Sequence, residues 1–239
     1  MPPASSAADA PAASAPVTLV LASASPARLK TLRGAGVEPV VVVSEVDEGL
    51  VVADAFERYG PLEAADVALL LARAKAEDVA AGIDLSAIVL GCDSVLELDG
   101  DVHGKPATAG EAVERWKGMR GRSGVLHTGH WLVDERDDGT GATLGATAST
   151  TVHFAKLSDA EIEAYVATGE PLQVAGAFTI DGLGGPFVSS IEGDHHNVVG
   201  LSLPLLRELL AELGAGWFDV ASGPADVAAR AGELTSGQG

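Results

Sequence analysis

The patterned part of the chain opens on a short unbroken apolar run, residues 17–22 (VTLVLA), as expected of a strand buried on both faces in the middle of a sheet. The polar turn Ser23-Ala24-Ser25 follows, and then a helical segment from Pro26 to about Ala35, with Ser25 at the capping position and Pro26 in the first turn. Residues 37–44 (VEPVVVVS) predict a second strand, and Pro61 to Ala81 a long amphipathic helix with Pro61 suited to its first turn. Residues 87–102 contain a buried strand and a second run that turns back at Asp99-Gly100, a strong hairpin signal. Thr108 with Glu111 and Ser158 with Glu161 have capping-box spacing, so helices should begin near 109 and 159. Between them, SGVLHTGHWLVDE and ATLGATASTTVHFA alternate around the loop Asp137 to Gly141 and predict a long antiparallel pair. A last helix runs from Pro204 to Leu213 and stops at Gly214. The sum is an α/β fold with an extended mixed β-sheet flanked by helices.

Composition sets the scale. With 239 residues, 47% hydrophobic but only 4% aromatic, the chain can bury one core built mainly from Val, Leu and Ala. A single domain over 17–218, in two lobes, is expected. The Ala/Pro/Ser-rich residues 1–16 and the small, polar, Gly-rich residues 219–239 are expected to be disordered. No basic leader with a compact apolar run begins the chain, and no stretch approaches a membrane span, so a cytoplasmic location is expected.

A net charge of −19 excludes the broad basic surface that nucleic-acid or anionic-membrane binding requires. A small polyanionic substrate stays open if some of the 15 Lys and Arg gather in one cleft, or if a divalent cation stands between substrate and acidic groups. The single cysteine, Cys92, has no thiolate-metal spacing around it and reads as a small buried strand residue.

Three constellations carry candidate chemistry. In Ser23-Ala24-Ser25-Pro26-Ala27-Arg28, a strand gives way to a helix N-terminus. A phosphate would sit well there, with the Ser23 hydroxyl and the Arg28 guanidinium aimed at it; an ordinary capped helix with a solvent-facing Arg is the plain alternative. No GxxxxGK[ST] loop is present, which excludes a P-loop ATPase. In Gly91-Cys92-Asp93-Ser94, an acid follows an apolar strand, where open α/β sheets collect ligands. Asp93 could hold a cation or take a proton from water, or simply begin a turn. The basic group comprises Lys75, Lys105 fixed between Gly104 and Pro106, and Arg120 and Arg122 before the long hairpin. His127 and His130, three apart on a strand, point to opposite faces, and His195 and His196, being adjacent, face the same difficulty, so neither pair is expected to share an ion. Asn197 to Leu201 read as a loop before the last helix, where Asn197 orients a ligand or makes an Asx turn.

Taken in order, LASASPARLKTL, SEVDE, ARAKA, GCDSV, DGDVHGKP, GRSGVLHTG, EIEAYVATGEP, VAGAFTIDGLGG and GDHHNVVGLSLPLL resemble the motif series of the Maf-type nucleoside triphosphate pyrophosphatases over about residues 17–214. The ordered series is what makes the resemblance specific. It implies a Maf/ITPase-like fold in which the sheet runs between two lobes with a central cleft, and homodimers are common in such proteins. It also implies hydrolysis of nucleoside triphosphates between the α and β phosphates, in the cleaning of nucleotide pools. By motif match Asp93 corresponds to the proton acceptor, Ser23 and Arg28 to residues of the opening signature, Lys75 and Lys105 to cleft lysines, and Glu45 or Asp47 to the acidic loop. A divalent cation, magnesium or manganese, is implied, with Asp93 and Glu45 as its ligands.

The chain departs from the family's subgroups at informative places. Enzymes of one subgroup, acting on dTTP and UTP, carry Arg after Ser-Pro, Thr after the catalytic Asp and Gln before the Gly of a late strand; here these positions are Ala27, Ser94 and Asp181. A second subgroup, acting on 7-methyl-GTP, carries Tyr or similar after Ser-Pro and Gln after the Asp, which this chain lacks. Ser94 and Asp181 are therefore the candidate substrate-selecting residues, Asp181 as an acceptor where Gln would offer its amide. Two other classes of function suit parts of the pattern: a nucleotidyltransferase, which usually has a Gly-rich first loop in place of Ser-Ala-Ser-Pro, and a non-catalytic nucleotide-sensing regulator of cell division, which the retained Asp93 and Lys105 disfavour.

Overall fold

The computed structural model describes residues 16–221. β1 (Leu19–Ala22) is fully buried, and α1 (Pro26–Gly34) follows with Ser25 as its cap, the Ser25 side chain accepting from the Arg28 N–H. β2 is only Val40–Val41, shorter than the apolar run 37–44 suggests, because only these two residues stand in register with β1, Val42 adding one N–H to the Leu21 carbonyl at 3.1 Å. An unforeseen helix, α2 (Glu48–Tyr59), comes next, capped by Asp47. α3 (Ala64–Gly82) starts three residues after Pro61, which lies ahead of its first turn.

β3 (Ile88–Leu98) is the spine of the sheet. The hairpin to β4 (Asp101–His103) turns at Asp99 and Gly100, both at positive φ, the requirement of a type I′ turn that glycine meets freely and Asp tolerates. α4 (Ala109–Met119) is capped by Thr108, and the long hairpin β5 (Ser123–Asp134) and β6 (Thr143–Phe154) forms as its alternation predicts. α5 (Asp159–Ala167) begins with both halves of a Ser158–Glu161 capping box. After short 3₁₀ turns come β7 (Val188–Glu192), α6 (His195–Val199), α7 (Leu203–Glu212) and α8 (Trp217–Val220). Residues 195–199 are thus helical rather than a loop. The folded unit also passes 218, since Val220 is buried and the Asp219 carbonyl accepts the Val17 N–H at 2.8 Å. The expectations for residues 1–15 and 222–239 lie outside the described residues.

The strands form one seven-stranded sheet in the order β2-β1-β3-β5-β6-β7, with β4 on the far part of β3. β1 pairs in parallel with β2 and β3, while the remaining pairs are antiparallel, so the sheet is mixed. Two main apolar clusters sit at opposite ends of β3. Ile88, Leu90 and Cys92 pack with β1, α1, α7 and α8, and Leu96 and Leu98 with Trp116, Met119, Phe154, Ile162 and Phe178. The eleven residues of β3 belong to both lobes, and the polar pair Asp93-Ser94 falls where one core ends and the other begins.

Candidate active site

Along β3, Gly91, Asp93 and Val95 face α3, and Cys92 and Ser94 face away, as strand alternation demands. A Cβ on Gly91 would lie 2.1 Å from the Ala72 carbonyl oxygen, and one on Gly129, which stands opposite Asp93 on β5, 2.3 Å from that of Ala68. The backbone of α3 therefore rests directly on the sheet. Lys75, nearly one turn beyond Ala72, is thereby carried to Asp93: its Nζ donates to Asp93 Oδ1 at 2.5 Å and pairs with Glu48 Oε1 at 2.7 Å. Both the Lys75 and Asp93 side chains are 11% exposed. Burial pushes the Asp93 carboxyl above the ordinary carboxylate range, and Lys75 and Arg28 oppose this without overcoming it. No hydrogen bond engages Asp93 Oδ2 among the described residues, which leaves that oxygen for water or substrate.

On the opposite side stands the α1 turn. Arg28 is buried and makes no ion pair among the described residues; its Nε donates to the Gly200 carbonyl at 2.7 Å, Nη1 to Ser23 Oγ at 3.0 Å and Nη2 to Ser94 Oγ at 3.1 Å. Three of its five N–H groups tie three chain segments together, and two remain for an anion. Ser94 Oγ also meets Thr128 Oγ1 at 2.9 Å, and Thr128 Oγ1 donates to the Asn197 carbonyl at 3.1 Å. Asn197 is wholly buried and donates to Leu126 O and Thr150 Oγ1, so it braces the wall instead of reaching a ligand.

Lys105 stands exposed at the rim, without an ion pair among the described residues. Its loop is pinned on both sides: the Gly104 carbonyl accepts from Arg115 Nη1 at 2.5 Å and from the Gly176 N–H at 3.1 Å, and Glu111 Oε2 accepts the Ala107 N–H at 2.8 Å. Asp181 lies on a loop rather than a strand and meets Lys30 Nζ at 3.4 Å. That loop is fastened by Glu170, which accepts from Thr179 Oγ1, Tyr165 Oη and the Leu183 and Gly184 N–H groups at 2.6–3.0 Å.

Ser23, Arg28, Glu48, Lys75, Asp93, Ser94, Lys105 and Asp181 line one cavity of about 510 Å³, a size suited to a small organic ligand. Glu45 is not among its walls; its side chain is exposed, and its backbone N–H is held by Asp78 Oδ2. Within the acidic loop Asp47 caps α2 and Glu48, the first residue of that helix, reaches the site. Asp47 as cap and Gly60 as stop were readable signals for α2. Arg120 turns to Leu157 O and Asp159, and Arg122 to Asp99 and Gly118 O, away from the cavity. His127 bonds Ser149 and Glu97, and His130 takes the Ser202 N–H; the two rings serve separate structural contacts.

A hard divalent cation can be fitted only in one manner. Among the described residues no three His, Cys, Asp or Glu ligand atoms gather in the cavity. Asp93 and Glu48 nevertheless converge on one point, now held by Lys75 Nζ, and magnesium commonly takes one or two carboxylates plus substrate phosphates and water.

Fold and cavity together define an α/β protein whose cleft sets a buried carboxylate between cations, an arrangement for acid–base chemistry on a bound anion. The chain belongs to the Maf family: the model for Maf-like protein matches residues 18–213. It is 61% identical over 204 residues to a nucleoside triphosphate pyrophosphatase of Salinispora tropica, covering 84% of this chain and 85% of the relative. It is 53% identical to one of Leifsonia xyli subsp. xyli (84% and 95% covered) and 50% identical to one of Nostoc punctiforme (82% and 93% covered), both of the same designation.

Proposed function

We propose that this protein hydrolyses nucleoside triphosphates to the monophosphate and pyrophosphate. The observation that carries the reading is the Lys75–Asp93 pair facing the Ser23–Arg28 turn across one cavity; membership of the Maf family and the designation of its relatives support it. The triphosphate lies between the α1 N-terminus with Arg28, on one side, and Lys75 and Lys105 on the other, which neutralise its charge. Lys75 holds Asp93 Oδ1 and so orients Oδ2. That oxygen accepts the proton of the water whose oxygen attacks the α-phosphorus as the bond to the β-phosphate bridging oxygen breaks; the pair of electrons leaves with pyrophosphate. The raised basicity that burial gives Asp93 suits the role. Asp93 and Glu48 would hold a magnesium or manganese ion together with the phosphates, and when bound the ion supplies further neutralisation of the phosphoryl oxygens.

Among the described residues no helix is long and apolar enough to cross a membrane, and we place the enzyme in the cytoplasm with the nucleotide pool, as a homodimer. Measuring pyrophosphate against orthophosphate from a panel of nucleotides, with magnesium or manganese, tests the reaction. Wild-type chain should release pyrophosphate and monophosphate, and Asp93→Asn should turn over about 10²-fold more slowly or worse. Orthophosphate without pyrophosphate, or unchanged turnover in the variant, would reject the proposal.

A further inference from the structure

Adjacent histidines diverge on an extended chain, but residues 194–196 are not extended. Asp194 caps α6, its Oδ1 accepting the His196 N–H at 2.9 Å, and the first helical turn lays the two imidazoles together, with ring centroids 3.7 Å apart and planes at 39°. Nδ1 of His195 and Nδ1 of His196 lie 4.0 and 3.3 Å from the same Asp194 Oδ1. The three ligand atoms fall within 4.8 Å of one another, the one group of three His, Cys, Asp or Glu side chains so placed among the described residues. Around a tetrahedral ion with bonds of about 2.0–2.2 Å, neighbouring donors stand about 3.4 Å apart; His196 is at that spacing from Asp194, and the exposed His195 ring has to draw in from 4.0 Å.

Of the three donors, only Asp194 Oδ1 is engaged in a hydrogen bond, with the His196 N–H. Among the described residues neither imidazole makes a hydrogen bond, nor does that of His103, whereas the rings of His127, His130 and His153 all do. Asp194 Oδ2 is buried with no hydrogen-bond partner. A carboxylate with an unmatched oxygen and two imidazoles with free lone pairs leave charge and coordination unanswered, and a cation answers both.

We propose that Asp194, His195 and His196 bind a first-row divalent transition-metal ion, with zinc as the reference ion. Two imidazole nitrogens and one carboxylate suit zinc, nickel or copper, while magnesium prefers oxygen ligands throughout. The site is therefore chemically distinct from the Asp93–Glu48 pair in the cleft and does not depend on the reaction assigned there. It is coupled to the cleft through the chain: α6 leads into Gly200, whose carbonyl holds Arg28, and Val198 and Val199 line the cavity.

Calorimetric titration of the full chain with zinc chloride alone, at pH 7.5, tests the site. One equivalent should bind saturably. His195→Ala and His196→Ala should each weaken binding by about tenfold or more, and Asp93→Asn should leave it unchanged. The two side chains are 64% and 33% exposed, so both variants should melt with the unmutated chain. In that unmutated chain, zinc should also shift the ring resonances of His195 and His196 and leave those of His127 and His130 in place. Absence of a saturable equivalent, unchanged affinity in both histidine variants, loss in Asp93→Asn, or ring shifts confined to other histidines would each overturn the proposal.

Discussion

Gly91→Ala adds one methyl group at the tightest contact between α3 and the sheet. The new Cβ would stand 2.1 Å from Ala72 O, 2.8 Å from Ala76 N and 2.9 Å from Ala76 Cβ, whereas ordinary contact begins at 3.4 Å. Two of these three atoms are backbone, so no side chain can swing away and α3 must lift by about 1 Å. Overpacking of this kind costs about 1–3 kcal/mol, here at the upper end because the neighbours cannot yield. For a domain of this size each kcal/mol moves the melting temperature by roughly 2–4 °C, so a fall of about 5–10 °C is expected. The same lift draws Lys75 back from Asp93, and a misplacement near 1 Å in a catalytic pair costs about 10²-fold in turnover. Thermal melts followed by circular dichroism, with turnover measured well below the melting point, separate the two effects. Unchanged melting would refute the close approach. Lowered melting with full turnover would refute the link between helix seating and catalytic geometry.

Lys105→Ala removes an exposed, unpaired cation; stability should stay within about 0.5 kcal/mol, while kcat/KM falls by roughly ten- to a hundredfold through loss of one charged hydrogen bond, read by steady-state kinetics. Glu48→Gln should lower turnover and Glu45→Gln should not, since only Glu48 contacts Lys75; equal effects in a side-by-side assay would contradict that placement. Asp134 accepts from Arg136 at 2.7 and 3.0 Å and from the Thr140 N–H at 2.9 Å, and these partners hold its carboxyl well below the usual range. A depressed carboxylate stabilises the fold above its unfolded value near 3.9 and loses that contribution only as pH falls toward its folded value. Urea unfolding should therefore show Asp134→Asn weaker by about 2–3 kcal/mol at neutral pH, with the gap closing only in strong acid.

The elements that could be read from the sequence were those with local grammar. The Asp99-Gly100 turn, the Thr108 and Ser158 caps and the alternation of the 123–155 hairpin are set by a few neighbouring residues, and the structure has each of them. α2 was missed although Asp47 and Gly60 bound it and its amphipathic period is as strong as that of α4, because by motif match its start read as an acidic loop. The gathering of Ser23, Arg28, Lys75, Asp93, Ser94, Lys105 and Asp181 in one cavity could be guessed only from motif order. What brings Lys75 to Asp93 is the absence of side chains at Gly91 and Gly129, a long-range fit that no local pattern reveals. Choosing between Glu45 and Glu48 required the helix start itself, since a cap at Asp47 turns the next residue inward over α3 and leaves Glu45 on the approach.

The −19 charge would repel a triphosphate if it were spread evenly, yet the cleft is not a sample of the surface. Its charged walls are Arg28, Lys75 and Lys105 against Glu48, Asp93 and Asp181. Both Glu48 and Asp93 are bound to Lys75, and Asp181 faces Lys30. Every carboxylate of the cavity thus has a cation beside it, whereas Arg28 and Lys105 have no carboxylate of their own among the described residues. The residual field inside is positive where the α1 turn and the Lys105 loop converge, and burial of Arg28 keeps solvent from screening it. An acidic exterior then discourages long polyanions such as nucleic acids, which cannot enter a 510 Å³ cavity, while a compact triphosphate can. Substrate selection by size and charge is in this sense built from the same few pairings that hold Asp93 in place.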